Sequence, residues 1–327
     1  MRVAITGAGG RLGRALAATL RDAAFADEIL GWDVPEHDLD DPSSAESLVG
    51  RFRPDVVVHT AAWTDVDACA RDPQLAMRRN GTAVGELAEA CVRHGAGLVS
   101  ISTNEVFDGR RIDARPYVPE DRPNPANPYG AAKLEGERSA RAAFGATGDE
   151  FARAARRLRN RPIIEMPPLA IVRTAWLFGP PGNDFPTKIV AAAERASADG
   201  EPLKVVFDEI GTPTYAPDLA RGVVALLREA ADSGTGALAG IHHIVNVGRA
   251  SRADWAREVL RLAGVDVPTE DVPITTWPRP STPPKWGVLD PTPLPNGERL
   301  RPWQEALAEY LATSSATGPG PIGRSDS

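Results

Sequence analysis

The chain has 327 residues, 42% of them hydrophobic, which is enough for either two domains or one large α/β unit with an appended lobe. Its formal net charge is −7, and its basic residues are scattered along the predicted helices instead of forming a stripe. Nucleic acid is therefore not the expected partner, although backbone amides at a helix N-terminus can bind a small anionic ligand whatever the net charge.

The cysteines and the N-terminus indicate a cytoplasmic protein. Cys69 and Cys91 are too few for a disulfide framework and lack the paired spacing of a zinc site, so no metal is expected. The chain opens directly on an apolar strand pattern, which leaves no room for a secretion signal. No apolar run approaches the ~18 residues of a membrane span, so no membrane partner is expected.

Short apolar runs alternate with helical patterns through the first half of the chain, which is typical of repeated β-α-β units. Because these runs are almost continuously apolar, we expect a parallel sheet with helices on both faces, that is, a doubly wound α/β fold. The predicted strands cover residues 3–6, 29–32, 56–59, 98–102 and 170–174. The predicted helices cover residues 12–24, 43–52, 73–93 and 129–143.

The later part of the chain has a different character. Residues 145–168 form a charged, Arg- and Ala-rich insertion, which is either an exposed amphipathic helix or a docking surface or anion-binding lid. Beyond it, Pro- and Gly-rich segments predict stiff surface loops. We therefore expect a dinucleotide-binding domain over residues 1–174 and a smaller C-terminal substrate lobe over 175–312, with elements that return to the first domain. Residues 313–327 lack an apolar period and are expected to be a disordered tail.

A glycine-rich turn follows the first predicted strand. Gly7, Gly10 and Gly13 have the spacing that permits a tight turn, close approach of a pyrophosphate to the backbone, and close packing of helix on strand. A purely structural strand-to-helix turn can also use glycines. The position of these three, between a strand and an amphipathic helix, favours a nicotinamide dinucleotide site.

The charged residues nearby leave the choice of cofactor open between NADH and NADPH. Asp33 follows the second strand at the distance where a carboxylate can accept hydrogen bonds from ribose hydroxyls, which favours NADH. Arg11 and Arg14 favour NADPH, because a guanidinium near that ribose can pair with a 2′-phosphate. The alternative role for Asp33 is helix capping or a simple surface position.

Tyr129 and Lys133 lie four residues apart, and hence on one face of a predicted helix. A phenol transfers protons poorly at neutral pH unless a fixed cation lowers its pKa, so the pair is expected to be an acid with its tuning group. Ordinary surface pairing is the alternative, but the preceding β-α units favour catalysis.

Ser102 and Thr103 end the fourth strand, where open parallel sheets bind ligands. A hydroxyl there can orient a substrate oxygen. The alternative is a local turn or a helix cap.

With these residues identified, the sequence resembles the extended short-chain dehydrogenase/reductase family over residues 1–312, and within it the dTDP-4-dehydrorhamnose reductases. The matching segments are more specific than the glycine turn alone. They are residues 53–67 (RPDVVVHTAAWTDVD), 106–109 (VFDG), 173–179 (RTAWLFG) and 211–220 (GTPTYAPDLA). The resemblance implies a Rossmann-type fold and an NADPH- or NADH-dependent oxidoreductase.

The resemblance also implies roles for particular residues. Thr103, Tyr129 and Lys133 form a catalytic trio, of which Tyr129 and Lys133 also contact the cofactor, and Trp176 lies near the sugar nucleotide. Further cofactor contacts are implied for Gly7, Gly10, Arg11, Leu12, Gly13, Asp33, Asp38, Leu39, Ala62, Trp63 and Thr64. Asp38 and Leu39 are also compatible with a plain polar turn.

Two departures from the family pattern bear on the substrate. Asn104 and Glu105 stand where the pattern has Asp-Tyr, and Asp208-Glu209 stands where it has Asp-Gln. Asn104 and Glu105 are therefore expected to contact the substrate, and their identity leaves the exact sugar open.

The expected function is reduction of the 4-keto group of a nucleotide-linked deoxysugar, with dTDP-4-dehydro-L-rhamnose as the first candidate. The alternatives are a related sugar-nucleotide epimerase or dehydratase that recycles its cofactor, or a catalytically silent binding subunit that regulates a partner. The sequence does not distinguish a monomer from a homodimer.

Overall fold

The computed structural model describes residues 1–145, 168–233 and 238–316. The charged insertion therefore lies almost entirely outside the described residues, as does most of the expected tail. The last helix, Trp303–Ala316, extends a few residues into the segment that was expected to be disordered.

Six parallel strands form the central sheet, in the order β2-β1-β3-β4-β5-β10, which confirms the predicted α/β class. Three two-stranded pairs lie outside it: β6 with β9, β7 with β12, and β8 with β11. The strands are β1 (Arg2–Thr6), β2 (Glu28–Trp32), β3 (Val56–His59), β4 (Gly97–Thr103), β5 (Leu169–Thr174), β6 (Leu177–Phe178), β7 (Leu203–Val206), β8 (Ile210–Gly211), β9 (Thr214–Tyr215), β10 (Gly240–His243), β11 (Ala250–Ser251) and β12 (Thr269–Val272).

Helices cover both faces of this sheet because alternate strand residues point to opposite sides. Val3 and Ile5 of β1 pack on one face with apolar residues of α1 and α8, whereas Ala4 packs on the other with α2 and α5. The described helices are α1 (Arg11–Asp22), α2 (Ser44–Phe52), α3 (Val66–Arg71), α4 (Pro73–Met77), α5 (Ala83–His94), α6 (Pro128–Ala143), α7 (Phe185–Asp199), α8 (Ala216–Ser233), α9 (Arg252–Ala263) and α10 (Trp303–Ala316).

The single helix predicted over residues 73–93 is interrupted. A widened π-helical turn, Arg78–Thr82, separates α4 from α5. Apolar periodicity does not reveal such a turn, because one inserted residue shifts the pattern by only part of a turn. The turn directs Asn80 toward the loop that follows β3, where its side chain binds the backbone of Trp63.

The chain after β5 builds a second apolar cluster and then returns to the sheet. Helices α7, α9 and α10 pack around an aromatic core. Helix α8 lies against α1, and β10 completes the central sheet beside β5. Among the helices in the described part of the chain, none has the length and hydrophobicity to cross a membrane. The aromatic core between α7, α9 and α10 includes Phe178, Tyr215, Trp255, Trp303 and Tyr310.

Candidate active site

The predicted site residues meet at one edge of the central sheet. Gly7 follows β1, residues 61–64 follow β3, and Thr103 ends β4. These strands are parallel neighbours, so their carboxyl ends lie side by side. The chain crosses from one side of β1 to the other at this point, which is where open α/β sheets bind their ligands.

The glycine turn has the shape of a dinucleotide cradle. Gly7 has a φ of +64°, and a Cβ on it would lie 2.8 Å from the Ala61 nitrogen. A Cβ on Gly13 would lie 2.2 Å from the Gly7 carbonyl oxygen. Gly10 is the N-terminal capping residue of α1 and has an extended backbone. Because glycine has no side chain, it accepts no side-chain hydrogen bond from the first backbone amides of that helix. Uncapped amides at a helix N-terminus suit a pyrophosphate, and these residues fit the expected cofactor.

Asp33 is bound to this turn. Its Oδ2 accepts a hydrogen bond from the Gly9 N–H at 2.6 Å, and its Oδ1 accepts one from the Val34 N–H at 2.9 Å. The half-buried carboxylate therefore shapes the glycine turn as well as lying near it.

Arg11 and Arg14 both donate hydrogen bonds to backbone carbonyls near the glycine turn. Arg11 donates to the carbonyl oxygens of Gly179 (2.9 Å) and Gly182 (2.5 Å), and Arg14 donates to that of Gly9 (2.6 Å). Each guanidinium is thus anchored to the backbone through part of its N–H groups, and Arg14 remains exposed beside the glycine turn.

Two further loops border the predicted cofactor site. Asp38 is exposed and Leu39 half-buried, in the turn after β2. After β3, the backbone of Trp63 is held at both ends by buried Asn80, whose amide accepts from the Trp63 N–H and donates to its carbonyl, each at 2.9 Å. Ala62 is half-buried and Thr64 is exposed on the same loop.

The first two turns of α6 carry Tyr129 and Lys133. Asn127 caps this helix, because its side chain accepts from the Gly130 N–H at 2.8 Å. A Cβ on Gly130 would lie 2.0 Å from the carbonyl oxygen of Glu105, so the helix packs tightly on the end of β4. The Lys133 ammonium is buried and donates to the Ile101 carbonyl at 2.7 Å.

The expected tuning of Tyr129 by Lys133 is not what the structure shows. The pKa of Tyr129 is raised, first by burial and then by the Glu105 carboxylate and Cys69, while a hydrogen bond with Thr103 acts in the opposite direction. Burial lowers the pKa of Lys133 to about 8. Burial and the neighbouring negative charge therefore favour the protonated phenol of Tyr129.

The residues around Thr103 divide into two groups. The Thr103 hydroxyl lies at the carboxyl end of β4 and accepts from the Glu105 N–H at 3.2 Å. Ser102 instead turns into the protein, where its hydroxyl donates to Glu137 at 2.6 Å. Asn104 is buried and its amide donates to the Gly287 carbonyl at 3.2 Å, so this side chain joins β4 to a distant loop.

Glu105 lies between the start of α6 and the segment that contains Glu209. Its carboxylate accepts from the Asn127 amide at 2.6 Å. Its pKa is raised by burial and by the negative charge of Glu209, against the lowering effects of Asn127, Arg252 and Arg279. Both departures from the family pattern therefore meet in one region.

Trp176 and Arg252 lie next to Glu209. The Arg252 guanidinium lies 3.6 Å from the centre of the Trp176 ring and donates to Glu209 at 2.8 and 3.0 Å. Beside them is a cavity of about 410 Å³ that combines basic and aromatic side chains. Its lining includes Phe185, Lys188, Lys204, Glu209, Arg252, Trp277 and Arg279.

Several of these residues were not identified from the sequence. Asn127 precedes Pro128, a recognisable helix-start signal that could have identified it. Asn80 and Arg252 have no local signal, because their partners Trp63 and Glu209 lie 17 and 43 residues away.

Comparison with known proteins adds to this geometry. The family model described as the RmlD substrate binding domain matches residues 1–148 and 157–316. The dTDP-4-dehydrorhamnose reductase of Streptomyces griseus is 37% identical over 325 residues, which cover 97% of this chain and 96% of that protein.

Solved structures of similar proteins have the same architecture. A dTDP-4-dehydrorhamnose reductase from Clostridium acetobutylicum has a TM-score of 0.82 at 33% identity and covers 96% of this chain and 100% of its own. The dTDP-4-dehydrorhamnose reductase of Bacillus anthracis in complex with NADP has a TM-score of 0.79 at 29% identity, with coverage of 95% and 99%.

Proposed function

The chain belongs to the family described by the RmlD substrate binding domain, and from this membership we propose that it is an NAD(P)H-dependent reductase of a dTDP-linked 4-keto-deoxysugar. The first candidate reaction is reduction of dTDP-4-dehydro-L-rhamnose to dTDP-L-rhamnose. The observation that carries the proposal is the convergence of Thr103, Tyr129 and Lys133 beside the glycine turn.

Tyr129 is proposed to be the general acid. Its raised pKa keeps the phenol protonated at neutral pH, so it can give its proton to the oxygen that becomes the C4 hydroxyl. Thr103 would orient that oxygen by hydrogen bonding, and Lys133 would hold the nicotinamide ribose beside the same helix. When bound, the reduced nicotinamide supplies the hydride.

The cofactor would lie along the glycine turn. Gly7 and Gly13 give the turn its shape, and the amides of Gly10, Arg11 and Leu12 begin α1 where the pyrophosphate is expected. Asp33, Asp38 and Leu39 would border the adenosine end, and Ala62, Trp63 and Thr64 the centre of the cofactor.

The substrate would enter from the second lobe. The 410 Å³ cavity presents Lys188, Arg252 and Arg279, which suit a diphosphate, together with aromatic rings for the base or sugar. Glu105 interacts electrostatically with Tyr129 and with Arg252 and Arg279 of the cavity, and Trp176 stacks on Arg252, so the sugar ring would pass these two residues. Asn104 would contribute to the sugar pocket through the loop that it anchors.

The test is incubation with a panel of dTDP-linked 4-keto-deoxysugars and NADH or NADPH, followed by reduced-nicotinamide absorbance and product analysis. A reductase consumes one reduced cofactor for each product molecule. An epimerase or dehydratase would form product without net consumption, and a silent subunit would form none, so either result would contradict the proposal.

The cellular setting is also proposed. Cys69 and Cys91 are free and buried, which suits a reducing cytoplasm, where sugar nucleotides are expected to be available. Light scattering of the purified protein would distinguish a monomer from a homodimer.

A further inference from the structure

Behind the catalytic helix lies a buried ion pair. Glu137 of α6 is 3% exposed and Arg173 of β5 is 1% exposed. The guanidinium donates to the carboxylate at 2.9 and 2.7 Å, and the Ser102 hydroxyl donates to it at 2.6 Å. Nothing in the proposed reaction uses this carboxylate directly.

Glu137 lies one helical turn beyond Lys133, which in turn lies one turn beyond Tyr129. The Lys133 ammonium is buried, and burial favours its neutral form. Its hydrogen-bond acceptor is the Ile101 carbonyl, a dipole without a full charge. Glu137 is the carboxylate that opposes the effect of burial on this ammonium.

The charged and titratable groups around Lys133 come from three elements. Tyr129 and Glu137 share its helix, His59 of β3 faces it, and Arg173 of β5 acts behind Glu137. Burial lowers the pKa of His59 well below its ordinary value, so that ring is neutral. Glu137 therefore supplies the negative charge in this set.

We propose that Glu137, one turn along the same buried helix face, is a positioning residue that keeps the Lys133 ammonium charged, while Arg173 and Ser102 fix its carboxylate. The contribution of the Lys133 charge to turnover rests on the proposed reductase function. The charge itself is a property of the free protein. A purely structural purpose is a weak explanation, because buried ion pairs are often no more stabilising than apolar residues of similar volume.

The experiment measures protonation of Lys133 directly. The sequence contains lysine only at 133, 188, 204 and 285, so ¹³Cε-lysine NMR of the full chain gives a simple spectrum in which Lys133 is assigned by substitution. The wild-type resonance should titrate with a pKa of about 8.

Two single variants break the same ion pair, but only one of them should lower this midpoint. Glu137→Gln removes the negative charge and should lower the midpoint by about 1–3 pH units, the usual effect of one nearby opposite charge. Arg173→Met removes the competing cation and leaves the carboxylate, so the midpoint should stay or rise. An unchanged midpoint in Glu137→Gln, or an equal fall in Arg173→Met, overturns the proposal.

The double variant Glu137→Gln with Arg173→Met covers the case in which a lone buried charge prevents folding. It leaves neither charge unpaired, and its midpoint should fall below the wild-type value, by less than in Glu137→Gln, which retains the Arg173 cation. A wild-type midpoint in the folded double variant overturns the proposal. Because the titration uses free protein, its failure is distinct from failure to reduce a keto sugar.

Discussion

Tyr129 shows how the surroundings of one residue fix its chemical task. Its pKa is raised by burial and by Glu105, which suits a residue that must donate a proton and not accept one. The sequence pattern alone had indicated the opposite shift, on the assumption that Lys133 was the dominant neighbour.

Tyr129→Phe should lower kcat by about 10²–10⁴-fold, the typical contribution of a positioned general acid. Cofactor affinity should change little, because only a hydroxyl is removed. Stopped-flow turnover and fluorescence titration with NADPH measure the two effects. Retention of more than half of the wild-type kcat would show that another group is the acid.

Asp33 is expected to influence the choice of cofactor through two routes. Asp33→Ala removes the acceptor for the Gly9 N–H, so affinity for both cofactors should fall. NADH should lose more than NADPH, since a carboxylate accepts from a 2′-hydroxyl but repels a 2′-phosphate. Calorimetric Kd values for both cofactors check this, with Asp33→Asn as the isosteric control. Equal losses would mean that Asp33 only shapes the turn.

Glu105 is expected to set the sugar preference. Replacing it with tyrosine would offer the sugar an apolar face in place of a carboxyl group. We expect the relative kcat/KM for different keto sugars to shift by about 10- to 200-fold, the range for one pocket contact. Glu105→Gln is the matched control for charge. Asn104 is best left unchanged, because Asn104→Asp would remove the donor to Gly287. An unaltered ranking of sugars would make Glu105 neutral.

At the scale of elements, the glycine turn combines two glycines that the packing requires with a third, Gly10, that we propose contacts the cofactor. The Gly7 and Gly13 positions leave no space for a side chain, whereas a Cβ on Gly10 would meet only the Gly7 carbonyl, at 3.1 Å. Gly10 lies at the start of α1, where the pyrophosphate is expected.

Gly10→Val should therefore abolish cofactor binding with little loss of Tm, because its branches would occupy the proposed pyrophosphate space. Gly13→Ala should lower Tm as well, since its methyl group would lie 2.2 Å from a backbone oxygen. Thermal unfolding with and without NADPH separates the two. A wild-type cofactor-induced Tm shift in Gly10→Val would remove this turn from the site.

At the scale of the whole molecule, the interior carries histidines that resist protonation. Burial lowers the pKa values of His37, His59 and His242, and lowers that of His243 to about 3. Both ring nitrogens of His243 lack a hydrogen-bond partner among the described residues.

Stability should therefore fall in mild acid. Below pH ~6.5 the unfolded chain takes up protons that the folded histidines do not, so the free energy of unfolding decreases as pH falls toward the folded pKa values. Each such histidine contributes up to about 1.4 kcal/mol per pH unit. Urea unfolding at pH 7.5 and 5 measures the loss, which should be smaller in His243→Leu. An equal loss in that variant would rule out His243 as a contributor.

The sequence by itself determined five of the six strands of the central sheet, the glycine turn and the placement of Tyr129 and Lys133 on one helix. Each depends on residues close in the chain: continuous apolar runs predict buried parallel strands, and a four-residue spacing places two side chains on one helical face. The family pattern then indicated the reaction. Helix 73–93 was predicted less accurately because its π-helical turn leaves little trace in the apolar period.

Only the tertiary structure decided which groups surround these residues. Glu105 lies within the electrostatic reach of Glu209 and Arg252, and Arg173 pairs with Glu137 across 36 residues of chain. Side-chain directions of this kind depend on how distant elements pack, and no local spacing encodes that packing. Protonation depends on burial and on neighbouring charge, so the pKa of Tyr129 and that of Lys133 were properties of the folded molecule alone.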